Sequence, residues 1–198
     1  MDDNTKRERW PVKDLESLTE ELRAADDATR AQRAERMKFL LQEFGPPANM
    51  MLTGGLNALL AISELQSSFL NGNFMATILL CQVFVESSLG GSYAFSGEED
   101  IMLEGSSKLI NRSASDSRIS AALAARLRVL QEMRDAYTHP RPYLNKRGGL
   151  LDRVAKRKLR LHELSEKEAR EAIQIVVDFL REGCPTWTPA PAANSFTN

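Results

Sequence analysis

Apolar residues along this chain recur at steps of three and four, the interval that places them on one face of an α-helix. Val12, Leu15, Leu18 and Leu22 keep that rhythm after Trp10-Pro11, where a proline suits the first helical turn. Asp27 to Phe44 is rich in arginine and alanine, keeps Met37, Leu40, Leu41 and Phe44 on an apolar edge, and stops at Gly45-Pro46-Pro47. Ala48 to Asn71 predicts a further helix, weakened at Gly54-Gly55 and closed by an Asn71-Gly72-Asn73 turn. Phe74 to Leu89 is apolar almost all round, as a helix at the centre of a fold must be, and Gly90-Gly91 predicts its end. A polar, irregular stretch surrounds Ile101–Leu103, after which Asp116 or Ser117 predicts the cap of a long helix reaching about Tyr137. Pro140, Pro142 and Gly148-Gly149 mark a loop. A short basic helix near Leu151 to Leu161 then precedes Ser165-Glu166-Lys167-Glu168, which reads as a capping box opening the last helix, to about Arg181.

Alternating apolar and polar positions are nowhere sustained, so strands are not expected. The pattern predicts an all-α bundle of four main helices with additional N-terminal helical segments. Residues 1–47 form an N-terminal helical extension, more polar than the rest of the chain, and 48–183 the bundle. Residues 184–198, with Pro185, Pro189 and Pro191, are expected to be a disordered tail.

Composition narrows the chemistry. A net charge of -1 over 198 residues excludes a surface that is wholly a nucleic-acid footprint, although a local basic patch survives that average. Two cysteines, Cys81 and Cys184, are too few for a disulfide framework or a four-thiolate metal site, and Cys81 sits in an apolar run as a small hydrophobe. The longest apolar stretch, Ile78 to Val85, is too short to span a bilayer, and the acidic N-terminus lacks a leader pattern. The expectation is a cytoplasmic protein without a membrane partner. No glycine-rich phosphate loop is present, and two histidines leave little for a metal, so neither metal nor cofactor is expected.

One run combines groups able to do acid–base work on a phosphate: Arg134-Asp135-Ala136-Tyr137-Thr138-His139-Pro140. Arg134 lies ~20° around the helix axis from Leu123 and Leu127, at the end of the core-facing stripe. A guanidinium there needs an acceptor. Glu86, with Gln82 one turn earlier on the same face, offers one as the only charged residue of the Phe74–Leu89 helix. A buried Glu86–Arg134 pair that fixes helix register is one reading of this arrangement. His139 precedes a proline, which disfavours helical backbone, so the helix should stop near Tyr137 or Thr138 and let the imidazole turn toward Arg134. The rival reading makes His139 a surface group compensating the helix dipole.

Arg134-x4-His139, with the polar Asp135 directly after the arginine, resembles the Arg-polar-x3–5-His motif of the HEPN superfamily, all-α bundles found in RNA-cleaving toxins and antiviral factors. The resemblance covers about residues 48–181. Spacing alone is a cheap match, met by chance about one time in four in so arginine-rich a chain. Arg157 and His162 meet it too, but with Lys158 in the polar position, and His162 reads as a solvated residue ahead of the last helix. The resemblance implies a metal-independent endoribonuclease, a toxin or defence factor. His139 would be general base or acid on the ribose 2′-hydroxyl and the leaving oxygen, Arg134 would hold the phosphate, and Asp135 would orient the pair or bind a ribose hydroxyl. It implies a homodimer with two motifs in one cleft, RNA as substrate, and a protein inhibitor or antitoxin as a further partner. Tyr137, Arg141, Lys146 and Arg147 are candidate RNA contacts; packing or surface roles are the alternatives. The basic run from Arg141 through Arg160 is a candidate phosphate-binding surface, or else a solvated helix face. A catalytically silent HEPN-like RNA- or nucleotide-binding or regulatory module, and a helical interaction protein using the N-terminal segments, remain the alternatives.

Overall fold

The computed structural model describes residues 13–45, 53–139 and 149–183, and all of its regular elements are helices. They are α1 (Leu15–Phe44), α2 (Gly55–Leu70), α3 (Phe74–Phe95), α4 (Glu99–Met102), α5 (Ser106–Ser115), α6 (Ala121–Thr138), α7 (Leu150–Arg157) and α8 (Leu161–Gly183). The all-α expectation holds. The expected disordered tail lies outside the described residues.

α3 is the axis of the fold. It packs against α2, α4, α5, α6 and α8, and α6 also meets α8. Its side chains Ile78, Cys81, Phe84 and Tyr93 are fully buried, with the Phe84 ring edge-on to Phe179 of α8 at 6.1 Å. Burial pushes the Cys81 thiol well above its ordinary range, so the residue is an inert hydrophobe here.

Gly90-Gly91 does not end this helix, contrary to expectation. A Cβ on Gly91 would collide with the Thr53 carbonyl, and one on Gly90 would lie 3.2 Å from the Met102 carbonyl oxygen. These glycines serve close approach of α4 and of the Thr53-Gly54 segment leading into α2 to α3, which outweighs their helix-weakening tendency. At 22 residues, with a mean hydropathy of 1.4 over an 18-residue window, the uninterrupted helix has the length and apolarity to cross a bilayer, while 61% of that window is buried inside the bundle.

Three other boundaries differ. The region around Gly105-Ser106 is not irregular: α5 forms there with Leu109 and Ile110 turned inward. Asp116 consequently ends α5, Ser117 takes a φ of 57°, and Ser120 caps α6 by accepting the Leu123 amide at 3.0 Å. In α8, Glu163 accepts the Arg160 amide at 2.9 Å, so the helix opens one turn before Ser165, whose hydroxyl bonds the Leu161 carbonyl.

α1 is one unbroken helix, opened by Asp14, which accepts the Ser17 amide at 2.9 Å. Its C-terminal half lies along α2 and α8. Arg36, 5% exposed, donates to the Leu70 carbonyl at 3.3 Å, lies 3.8 Å from Glu166 and covers the Phe74 ring. Arg170 covers the Phe39 and Phe69 rings. The N-terminal half continues beyond these contacts into solvent.

Candidate functional site

α6 carries Leu123, Leu127 and Leu130 into the core, and the next position on that stripe is Arg134. The helix ends as the proline after His139 requires. His139 adopts extended backbone (φ -107°, ψ 116°), its amide bonds the Asp135 carbonyl at 3.1 Å, and Thr138 Oγ1 donates to the Arg134 carbonyl at 3.0 Å.

Leaving the helical path lets the imidazole swing back. His139 Nε2 lies 3.8 Å from Asp135 Oδ1, the same oxygen that accepts Arg134 Nη1 at 2.9 Å. The longer distance is an ion pair when the imidazole is protonated, not a hydrogen bond. On its other side Arg134 Nη2 reaches Glu86 Oε1 at 3.4 Å. Gln82 fixes Glu86 by donating at 2.9 Å and donates again to Ser106 Oγ at 2.5 Å. Gln82 Oε1 is buried without a hydrogen-bond partner among the described residues.

The Glu86–Arg134 pair suggested by the sequence is therefore present, but it sits at the bundle surface. Side-chain exposure rises from 25% at Arg134 and 30% at Asp135 to 61% at His139. Such a half-exposed pair contributes about 1 kcal/mol or less to stability. The guanidinium stays open to an anion from the solvent side, although a phosphate must compete with Asp135 for Nη1.

Tyr137 points away from this cluster. Its hydroxyl lies 3.1 Å from both Ser165 Oγ and Glu168 Oε2, and burial pushes its pKa up to about 12. Glu168 is completely buried, with Arg153 Nε and Nη2 on its other oxygen at 2.8 and 2.7 Å. This network ties α6 to α7 and α8. The hydroxyl is committed to it, which leaves little of Tyr137 for stacking on a base.

Arg141, Lys146 and Arg147 lie outside the described residues. Of the remaining basic run, Arg153 is spent on Glu168, Lys156 on Asp152 at 2.8 Å and Arg157 on Glu171 at 3.9 Å. The side chains of Lys158 and Arg160 pair with no carboxylate among the described residues. His162 lies inside α8, exposed, with its ring 5.2 Å from that of Phe74.

Glu86 also forms a wall of a cavity of about 470 Å³, together with Gly54, Asn57, Gly91, Phe95 and Glu104. None of these neighbours carries a sequence signal for a site: Gly91 and Phe95 share α3 with Glu86, whereas Gly54, Asn57 and Glu104 come from segments that only the fold brings beside it. Among the described residues no group of three or more His, Cys, Asp and Glu side chains is placed to hold a metal ion. Compared with protein-family models, curated proteins and solved structures, the chain matches none.

Proposed function

We propose that the chain is a HEPN-like endoribonuclease working without a metal ion, in which the ribose 2′-hydroxyl attacks the adjacent phosphate. The observation that supports this best is the convergence of Arg134 and His139 on a single oxygen of Asp135 at a solvent-open helix end. His139, the most exposed of the three, takes the 2′-hydroxyl proton as base or returns one to the leaving 5′-oxygen as acid. Arg134 stabilises the charge developing on the phosphate. Asp135 holds both groups in register, while Glu86 and Gln82 hold Arg134 from behind. The proposal carries with it RNA as partner and a homodimer that pairs two such sites; a role as toxin or defence factor would add a protein inhibitor.

A second reading has an observation of its own. Both terminal nitrogens of Arg134 already meet carboxylates, which suits a HEPN-like module that binds or regulates without cleaving. The two readings separate on an RNA oligonucleotide incubated with chelator present, beside its all-2′-deoxy counterpart. The nuclease reading expects cleavage of the RNA alone, leaving 2′,3′-cyclic phosphate ends. Binding without cleavage supports the silent module, and cleavage of both oligonucleotides contradicts 2′-hydroxyl attack.

A further inference from the structure

The N-terminal half of α1 carries its apolar stripe past the bundle. At ~100° per residue, Leu15, Leu18, Leu22, Ala25 and Thr29 lie within ~60° of the direction of Arg36. The face that docks α1 onto α2 and α8 thus continues along the overhang, where Leu15 is 79% and Leu22 69% exposed. The overhang from Leu15 to about residue 32 is ~27 Å long, and a lone helix of that size is marginally stable in water without a partner. It is also acidic: six carboxylates stand against two cations between residues 13 and 27, with Glu21 and Asp26 on either side of the stripe.

The complementary surface lies at the end of the bundle where α1 departs. Phe74, Met75, Leu79, Leu161 and His162 line an open groove of about 740 Å³. Met75 is 48% and Leu161 53% exposed there. Lys158 and Arg160 lead into Leu161 along the chain; both are exposed, and neither side chain pairs with a carboxylate among the described residues. An apolar floor with a cationic edge matches an acidic helix carrying leucines. The overhang cannot supply its own groove, because α1 runs unbroken from Leu15 to Phe44 and does not fold back. A second copy offers both surfaces at once, and a two-fold axis satisfies both contacts reciprocally.

We propose that the chain dimerises by exchanging these arms, the Leu15–Thr29 stripe of each copy lying in the Phe74–Leu161 groove of the other. Glu21 and Asp26, paired within the protomer with Lys13 and Arg33, then face Lys158 and Arg160 as well. This does not rest on the nuclease reading.

The test is the solution mass of the full chain by light scattering. Leu22→Asp disables the arm and Leu161→Asp the groove; both residues are exposed in the protomer, so circular dichroism should show the fold retained. The wild type is expected to be a dimer. Each variant alone should dissociate at least about tenfold more readily. Mixing the two should give a heterodimer tighter than either variant's own dimer, since one of its two contacts joins an intact arm to an intact groove. A monomeric wild type, or a variant that dimerises undiminished, overturns the proposal. A mixture that associates no better than the separate variants also overturns it, as expected if two arms simply pair with each other. Lys158→Glu with Arg160→Glu should weaken the dimer; unchanged mass with lost RNA binding would assign those cations to nucleic acid and sink the exchange.

Discussion

Replacing Glu168 by alanine removes the acceptor on which three elements converge. Its carboxylate is completely buried and receives Arg153 through two nitrogens and the Tyr137 hydroxyl at 3.1 Å. Losing one partner of a buried ion pair costs about 3–5 kcal/mol, because the other charge is left without compensation. Arg153 is 18% exposed and recovers some hydration, and Tyr137 keeps Ser165. Both point to the lower end, about 3 kcal/mol. For a chain of this size that loss lowers the melting temperature by about 6–12 °C. Thermal unfolding followed by circular dichroism at neutral pH measures it. The double variant Glu168→Ala, Arg153→Ala should fall short of the sum of the single losses by about 1.5 kcal/mol or more, since Arg153 has nothing left to lose. A Glu168→Ala melting point within about 2 °C of wild type, or strict additivity in the double variant, would mean that Glu168 does not hold Arg153 in the fold.

The same packing sets two other outcomes. Gly91→Ala forces a methyl group into the Thr53 carbonyl and should cost about 1–3 kcal/mol, whereas Gly105→Ala meets nothing within 4 Å and should melt near wild type. Equal melting points for the two variants would contradict the close approach of the Thr53-Gly54 segment to α3. Tyr137 carries a pKa raised to about 12, so its neutral form is favoured in the fold. Its contribution is complete below about pH 10 and fades as pH rises toward 12, about 1 kcal/mol after allowing for partial exposure. Denaturant titrations between those pH values should show a shallower loss of stability in Tyr137→Phe than in wild type; parallel slopes would place the hydroxyl outside the network.

The fold class and the turn at His139 were legible in the sequence because each rests on local physics. Helical periodicity marks a buried stripe, and a proline constrains the residue before it. The Glu86–Arg134 pair was legible for a related reason, since a cation on an apolar stripe must find the nearest available anion. The features that the sequence concealed depend on contacts between distant segments. Gly90-Gly91 looks like a helix stop until Thr53 and Met102 are seen lying against it. α5 was hidden because its polar residues outnumber the few apolar ones it buries. Tyr137 looked available for stacking, and only the fold reveals the buried carboxylate from α8 that claims its hydroxyl. The basic run invites a phosphate-binding reading, yet most of its described cations answer carboxylates of α7 and α8.

The proposed joint action of Arg134 and His139 on RNA is tested by initial cleavage rates on a labelled oligonucleotide in the presence of chelator. Wild type is compared with His139→Ala, Arg134→Ala and the double variant. If the two groups serve one step, wild type should cleave measurably, each single variant should lose about 100-fold or more, and the double variant should lose little further. Cleavage that survives both substitutions, or that chelator abolishes in wild type, would contradict it.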